Sequence, residues 1–90
     1  MSFTVEDRRF EIIHASDVST RDGLGWELWE HVDGNRLILF EIFRHDDLKK
    51  MEFSTYERAD IPLEALEIVL NDFNTNGGRD FIDYPDEESW

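Results

Sequence analysis

Hydrophobic and polar residues alternate along much of the first two thirds of the chain, which is the period-two pattern typical of β-strands. The clearest strand patterns are rich in aromatic and β-branched residues and cover 26–31, 36–44 and 48–58. A weaker pattern over 3–14, with a turn at Asp7-Arg8, predicts two further short strands. Because the connections between these runs are short, we expect the strands to pair with their neighbours in an antiparallel meander.

The pattern changes to a helical period after residue 60. Five apolar residues recur at spacings of three and four and so share one face of a helix: Leu63, Leu66, Val69, Leu70 and Phe73. Pro62 suits the first helical turn, and Asn76-Gly77-Gly78 is typical of a helix C-cap. The sequence therefore predicts an α+β fold, in which one amphipathic helix packs on one face of an antiparallel meander of about four to five strands.

The whole chain is expected to form one small domain, because 90 residues bury only one modest core. This domain spans residues 1–90 and has an acidic C-terminal tail over 79–90. The tail also contains Phe81, Tyr84 and Trp90, so the sequence leaves open whether it is ordered or flexible.

Turn positions decide which strand residues share a face of the sheet. In the first hairpin, a two-residue loop at 33–34 places Trp29 opposite Ile38, and a loop at 34–35 places it opposite Phe40. A loop at Asp46-Asp47 in the second hairpin pairs Ile42 with Met51, Phe40 with Phe53, and Ile38 with Thr55. Trp29 is then expected on the face that the helix covers.

The opposite face would carry a second apolar group, namely Trp26, Leu28, Leu39, Phe43 and Tyr56. Glu41, Lys50 and Glu52 lie among these residues, so the face is too apolar for a solvated surface and too charged for a deep core. One interpretation is that the N-terminal strands or the tail cover this face, or that the sheet curls into a half-barrel. The other is a protein-binding surface or homodimer face, because aromatic residues rimmed by charge are typical of interfaces.

The net charge limits which partners such a surface could bind. The chain has 22 acidic and 9 basic residues, which gives a net charge of −13. Binding to nucleic acid or to an anionic membrane is therefore not expected, because both need clustered lysine and arginine. The excess acidity either keeps a small protein soluble or steers it toward a basic partner.

The chain contains no cysteine, so disulfides, thiol nucleophiles and thiolate metal sites are excluded. The N-terminal residues lack the basic and apolar regions of a signal peptide. No apolar run approaches the roughly 20 residues that a membrane span needs. These features predict a cytoplasmic protein.

One segment has the spacing of a metal site. Residues 72–83 resemble an EF-hand calcium loop, with oxygen ligands expected from Asp72, Asn74, Asn76, Asp80 and Asp83 and from the Gly78 carbonyl. Asp83 replaces the usual final glutamate, Arg79 takes a position usual for a branched apolar residue, and Pro85 interrupts the exit segment. The alternative interpretation is a helix C-cap followed by a polar turn, which needs no cofactor.

No set of residues predicts catalysis. His14, His31 and His45 fall on separate strands or turns and lack the spacing of zinc ligands. Glu41 and Glu52 would lie opposite each other in the predicted register, but acid–base chemistry also needs a substrate cleft, of which the sequence gives no sign. Enzyme activity is therefore not expected.

In size, charge and strand-plus-helix layout, the chain resembles small acidic bacterial immunity and antitoxin proteins, although no residue motif carries the likeness. The sequence thus predicts a non-enzymatic protein-binding module, of immunity, antitoxin or regulatory kind, or a homodimer that uses one sheet face. The alternative is a calcium-binding module that acts through residues 72–83.

Overall fold

The computed structural model describes residues 1–16 and 21–82. These residues form, in chain order, strands β1 (Ser2–Val5), β2 (Arg8–Ser16), β3 (Gly23–Val32), β4 (Asn35–His45) and β5 (Lys50–Thr55) and helix α1 (Leu63–Thr75). Each strand pairs antiparallel with its chain neighbour, so the sheet order is β1-β2-β3-β4-β5. The predicted α+β meander with one helix is confirmed. Within the described ranges, no helix is long and apolar enough to cross a membrane.

The first predicted hairpin, between β3 and β4, has the loop at Asp33-Gly34. Both loop residues have positive φ, 49° and 80°, as a type I′ turn requires. Trp29 therefore lies opposite Ile38, which is one of the two registers that the sequence allowed. The turn between β1 and β2 lies at Glu6 and Asp7, whose φ values are 52° and 63°. It is one residue earlier than predicted, because Arg8 already pairs with Val5 in the sheet.

The predicted register of the second hairpin is wrong by two residues. Ile42 lies opposite Phe53 instead of Met51, and the loop covers 46–49 instead of 46–47. The turn is longer because Asp46 is buried and held in line with the sheet: its N–H donates to the carbonyl of Asp22, at 2.8 Å. A shift of two residues preserves the alternation of faces, so Phe53 stays on the side of the sheet where the sequence placed it.

A β-bulge reverses the predicted faces of β3. The register shifts between Leu28, which pairs with Phe40, and Trp29, which pairs with Ile38, so Leu39 is the extra residue. Trp26 and Leu28 consequently share the face of Ile42 and Phe40, beneath the helix, and Trp29 lies on the other side. The predicted register assumes that residues alternate between the two faces along the whole of β4. One extra residue in β4 exchanges the two faces for every β3 residue that pairs beyond it.

Helix α1 packs on what we call the helix face, and the opposite side is the second face. Ala65, Val69 and Phe73 are the buried residues of the helix, and the Phe73 ring meets the Trp26 ring edge-on at 4.9 Å. The core cluster consists of Val5, Phe10, Ile12, Trp26, Leu28, Leu39, Phe40, Ile42, Ala65, Val69 and Phe73. Of the five residues predicted for the apolar stripe of the helix, Val69 and Phe73 are buried, Leu66 and Leu70 are half-buried at its margin, and Leu63 is exposed. The prediction is wrong for Leu63, and Ala65 is buried in addition.

The predicted helix C-cap is confirmed. Gly77 has a φ of 78°, and the Gly78 N–H donates to the Phe73 carbonyl at 2.8 Å, which is the long hydrogen bond of a Schellman motif. A Cβ at Gly78 would overlap the Phe73 ring, so only glycine lets this turn pack against the helix. This geometry explains the Asn76-Gly77-Gly78 sequence without a metal ion.

An ion pair joins the sheet to the segment that precedes the helix. The Arg8 Nε and Nη2 atoms donate to the two carboxylate oxygens of Glu30, both at 2.8 Å, and Nη1 donates to the Asp60 carbonyl at 2.7 Å. The hydrogen bond and the charge of Arg8 lower the pKa of Glu30, against a smaller opposing effect of burial.

This lowered pKa predicts a pH-dependent contribution to stability. Because the folded-state pKa of Glu30 lies below the unfolded value, its contribution is complete above the ordinary glutamate pKa of about 4.3 and is lost as the pH falls through the folded pKa. We expect Glu30→Gln to lower the urea midpoint at neutral pH and to lower it by a smaller amount at about pH 3, below the ordinary glutamate pKa. An equal loss at both pH values would contradict the ionic role of Glu30.

Candidate functional site

The five residues predicted to form a protein-binding face do not lie together on the surface. Trp26, Leu28 and Leu39 are at most 1% exposed in the core, so the prediction of an exposed face built on them is wrong. The error arises from the bulge at Leu39, which places Trp26 and Leu28 of β3 on the helix face instead of the second face. Phe43 does lie on the second face but is buried, and Tyr56 is half-exposed at the end of β5.

The second face contains a buried carboxylate, that of Glu41, which neighbouring side chains cover. The side chain of Glu41 is 1% exposed and accepts hydrogen bonds from Arg21 Nη1 at 2.8 Å, Arg21 Nη2 at 3.2 Å and the Tyr56 hydroxyl at 3.1 Å. The guanidinium of Arg21 also lies 3.8 Å from the centre of the Phe43 ring. A Cβ at Gly25 would overlap Glu41, so glycine gives this carboxylate its space on β3.

Burial raises the pKa of Tyr56, and its hydrogen bond and charge interaction with Glu41 act in the same direction. The hydroxyl therefore stays protonated and serves as a donor. The predicted pairing of Glu41 with Glu52 is wrong, because Glu41 lies opposite Glu27 and Ser54. This cluster ties Tyr56, which follows β5, and the segment at Arg21 to the second face of the sheet.

Other side chains on the second face also form hydrogen bonds and cation–π contacts with one another. Trp29 Nε1 donates to Glu27 at 2.9 Å, and the Arg36 guanidinium lies 4.9 Å from the centre of the Trp29 ring. Glu11 accepts from His31 and from Arg36, at 3.1 Å and 3.4 Å. The second face is therefore a network of paired charges around half-buried apolar residues.

The residues of the proposed calcium loop point to other partners. Asp72 and Asn74 belong to the last turns of α1 and are not in a loop. One Asp72 oxygen accepts from Asn76 Nδ2 at 2.7 Å, and Asn74 Oδ1 accepts from Arg79 Nε at 2.6 Å. Asp80 is exposed, and Asp83 lies outside the described residues. The cation of Arg79 thus stands beside one of the oxygens that calcium would need.

Each histidine contacts a different carboxylate. His14 Nε2 lies 2.5 Å from Asp72, His31 Nε2 lies 3.1 Å from Glu11, and His45 Nε2 lies 2.6 Å from Glu52. Over residues 1–16 and 21–82, no three histidine, aspartate or glutamate side chains come close enough together to hold a metal ion. The His14 contact links β2 to the C-terminal half of α1.

An apolar groove lies between β5 and α1 on the helix face. Its volume is about 310 Å³, and it is lined by six apolar residues and two charged ones, namely Ile42, Met51, Phe53, Leu66, Leu70 and Phe73 together with Glu52 and Arg79. The Phe53 side chain is 56% exposed, although its ring packs against Phe40 with ring centres 5.2 Å apart. An aromatic ring this exposed beside an apolar groove is typical of a contact surface.

Strand β5 borders this groove and forms one edge of the sheet, where none of the described residues pairs with its outer side. The Tyr56 N–H donates to the Leu39 carbonyl at 2.9 Å, and this pair fixes the alternation of the ladder. The backbone groups of Lys50, Glu52 and Ser54 consequently point toward β4. Those of Met51, Phe53 and Thr55 point away from the sheet, and their side chains lie on the helix face.

A buried ion pair fixes the end of the groove where the β4–β5 turn meets the helix C-terminus. Arg44 Nε and Nη2 donate to the carboxylate of Asp46 at 2.9 Å and 3.3 Å, and Nη1 donates to the Gly77 carbonyl at 2.7 Å. Asp46 in turn accepts from the Ile82 N–H at 2.9 Å. These contacts tie the residues that follow the helix to the end of β4 and to the β4–β5 turn.

The sequence pattern identified the groove residues but assigned them another role. Met51 and Phe53 were expected in the floor beneath the helix and Leu66 and Leu70 in its buried stripe, yet Phe53 is exposed and the two leucines are half-buried. The order of the elements in the sequence could have indicated this exposure. β5 is the last strand of a meander, so it lies at an edge of the sheet, and the residues after it lead directly to a helix. One helix of 13 residues cannot cover the outermost strand of a five-strand sheet.

Comparison of the chain with protein-family models, with curated proteins and with solved structures gives no match. The function therefore has to be inferred from the geometry of this chain.

Proposed function

We propose that this chain is a non-enzymatic protein-binding module that accepts an extended segment of another polypeptide along β5. The observation that carries the proposal is the coincidence of an apolar groove with a strand edge on which no residue of 1–16 or 21–82 pairs. Strand addition to an open edge is a recurrent mode of peptide recognition, in which backbone hydrogen bonds supply affinity and alternate side-chain pockets supply specificity.

The backbone supplies the first part of the interaction. The outward N–H and C=O groups of Met51, Phe53 and Thr55 recur at every second residue, which is the spacing that an added strand would meet. Each new backbone hydrogen bond replaces bonds to water, so its net contribution is modest, about 0.5–1.5 kcal/mol. The backbone alone would therefore give weak and unselective binding.

The groove supplies the second part. Side chains of an added strand on the helix face would lie beside Phe53 and near Leu66 and Leu70. Burying one large apolar side chain there contributes about 1.5–3 kcal/mol. The expected ligand is thus an extended segment with apolar residues at alternate positions.

Substitution of the exposed ring tests the proposal. We expect Phe53→Asp to abolish capture of partner proteins from a native cell extract, because it places a charge at the centre of the edge and removes the largest exposed apolar group of the groove. Leu63→Asp is the matched control, since Leu63 is 68% exposed and does not line the groove. The measurement is a pull-down with each variant as bait.

Hydrogen exchange identifies the mode of binding. When a captured partner is added to the wild-type chain, the amide protons of Met51, Phe53 and Thr55 should become protected, because they gain acceptors on the partner. The amide protons of Glu52 and Ser54, which already bond to β4, serve as the internal control. Unchanged exchange at all three outward amides, with a partner bound, would rule out strand addition.

A further inference from the structure

We infer that the strand added to β5 is the β5 strand of a second copy of this chain. The inference rests on the proposed function and names its partner. Two copies related by a twofold axis would pair their β5 strands antiparallel, with Phe53 of each copy at the axis. The two five-strand sheets would then form one continuous sheet.

The unpaired backbone groups select this register. With Phe53 opposite Phe53 of the second copy, Met51 lies opposite Thr55 of the second copy, and all three outward residues of each strand find partners. A register centred on Glu52 would pair only Met51 and Phe53 and would set two carboxylates directly opposite each other. Like charges in that position are destabilising.

A register centred on Met51 is also less favourable. It would leave Thr55 beyond the paired segment and place Phe53 opposite Lys49, which lies in the β4–β5 turn. In the register centred on Phe53, Glu52 instead meets Ser54 of the second copy. The two Phe53 rings, each 56% exposed in one chain, would pack side by side at the axis.

The distribution of charge favours a second copy at this edge. Residues 48–58 contain three basic residues (Lys49, Lys50, Arg58) and two acidic residues (Glu52, Glu57), a net charge of +1 in a chain of −13. Two copies that approach through β5 therefore bring together segments that are less acidic than the chain as a whole. Their remaining negative charge still repels, and this repulsion weakens as salt shortens the screening length.

A single pair of strands forms a small interface, so the dimer is expected to be weak and dependent on concentration. Sedimentation equilibrium should show a reversible monomer–dimer equilibrium in the wild-type chain that shifts toward dimer as the salt concentration rises. Phe53→Asp should raise the dissociation constant about a hundredfold, because it removes an apolar contact and sets two like charges at the axis. Leu63→Asp should leave the dissociation constant unchanged.

The register can be tested by cross-linking, because the chain has no cysteine of its own. Residues 52 and 54 of opposite copies would form a pair without mutual backbone hydrogen bonds, with Cα atoms about 4.5 Å apart, within the range of a disulfide. A mixture of Glu52→Cys and Ser54→Cys chains should therefore oxidise to a mixed disulfide dimer, and neither variant alone should do so. Efficient cross-linking of Glu52→Cys alone would overturn the proposed register.

The outcomes separate this inference from the proposed function. A wild-type chain that stays monomeric at all concentrations and salt levels, or a dimer that persists in Phe53→Asp, would overturn pairing through β5. If the chain is monomeric but a different protein protects the amides of Met51, Phe53 and Thr55, strand addition stands with another partner. If neither occurs, both proposals fail.

Discussion

Replacement of Asp46 by alanine is expected to lower the free energy of unfolding by about 3–5 kcal/mol, because the change leaves the buried guanidinium of Arg44 without its carboxylate. Both side chains of this pair are at most 4% exposed, so water cannot replace the missing partner. A loss of this size is a large part of the stability of a small domain. Urea unfolding followed by circular dichroism measures it.

The neighbouring residue provides the matched control. Asp47 is exposed in the same turn, so Asp47→Ala should change the free energy of unfolding by less than about 0.5 kcal/mol. Because Asp46 also accepts from the Ile82 N–H, and Arg44 donates to the Gly77 carbonyl, Asp46→Ala should loosen the helix C-terminus as well. Equal effects of the two substitutions would show that the Arg44–Asp46 pair is not the main tie between the β4–β5 turn and the helix.

Alanine at Gly23 is expected to cost about 3 kcal/mol or more of unfolding free energy. Gly23 has a φ of 156°, and a Cβ at this position would overlap the backbone carbonyl of Arg44 on the paired strand. A backbone atom in a strand ladder cannot move aside as a flexible side chain can. The start of β3 would therefore have to separate from the end of β4.

A Gly34→Ala variant serves as the control, because it measures the cost of a positive φ at alanine without the steric overlap expected at Gly23. Gly34 has a φ of 80°, but a Cβ there would meet no atom within 4 Å. Gly34→Ala should therefore cost only the penalty of a left-handed alanine, about 1–2 kcal/mol. Chemical denaturation of both variants tests the difference, and a Gly23→Ala variant no less stable than Gly34→Ala would show that the strand ends move apart easily.

The sequence was sufficient for features that depend on residues close together in the chain. The β3–β4 hairpin, most of the apolar stripe of α1 and the cap at Gly77 each follow from a few neighbouring residues with strong conformational preferences. The candidate site could not be predicted from neighbouring residues alone. Its residues were predicted correctly as apolar positions on the helix face, but no local pattern states which strand edge the helix leaves open.

The two errors of register have a different origin. The bulge at Leu39 and the four-residue turn at 46–49 both depend on contacts with distant parts of the chain. Asp46 looked like the tip of a tight turn, yet it is held by Arg44 and by the backbone of Ile82. Leu39 looked like the next alternating residue, yet it is the extra residue of the bulge and joins the core. Such contacts become visible only when the helix and the sheet are assembled.

The meander topology has a consequence for how the chain acquires its structure. Since every strand pairs with its chain neighbour, each hairpin can close a short loop, and the entropy lost in each closure is small. Among the contacts described above, those that span the longest loops are His14 with Asp72 and Arg8 with Asp60, which join the sheet to the C-terminal half of the helix and to the segment before it. We therefore expect hairpin formation to be fast and docking of α1 to be the slower step of folding. Until the helix docks, Trp26 and Leu28 are open to water, and this interval is when the chain is most exposed to misassociation.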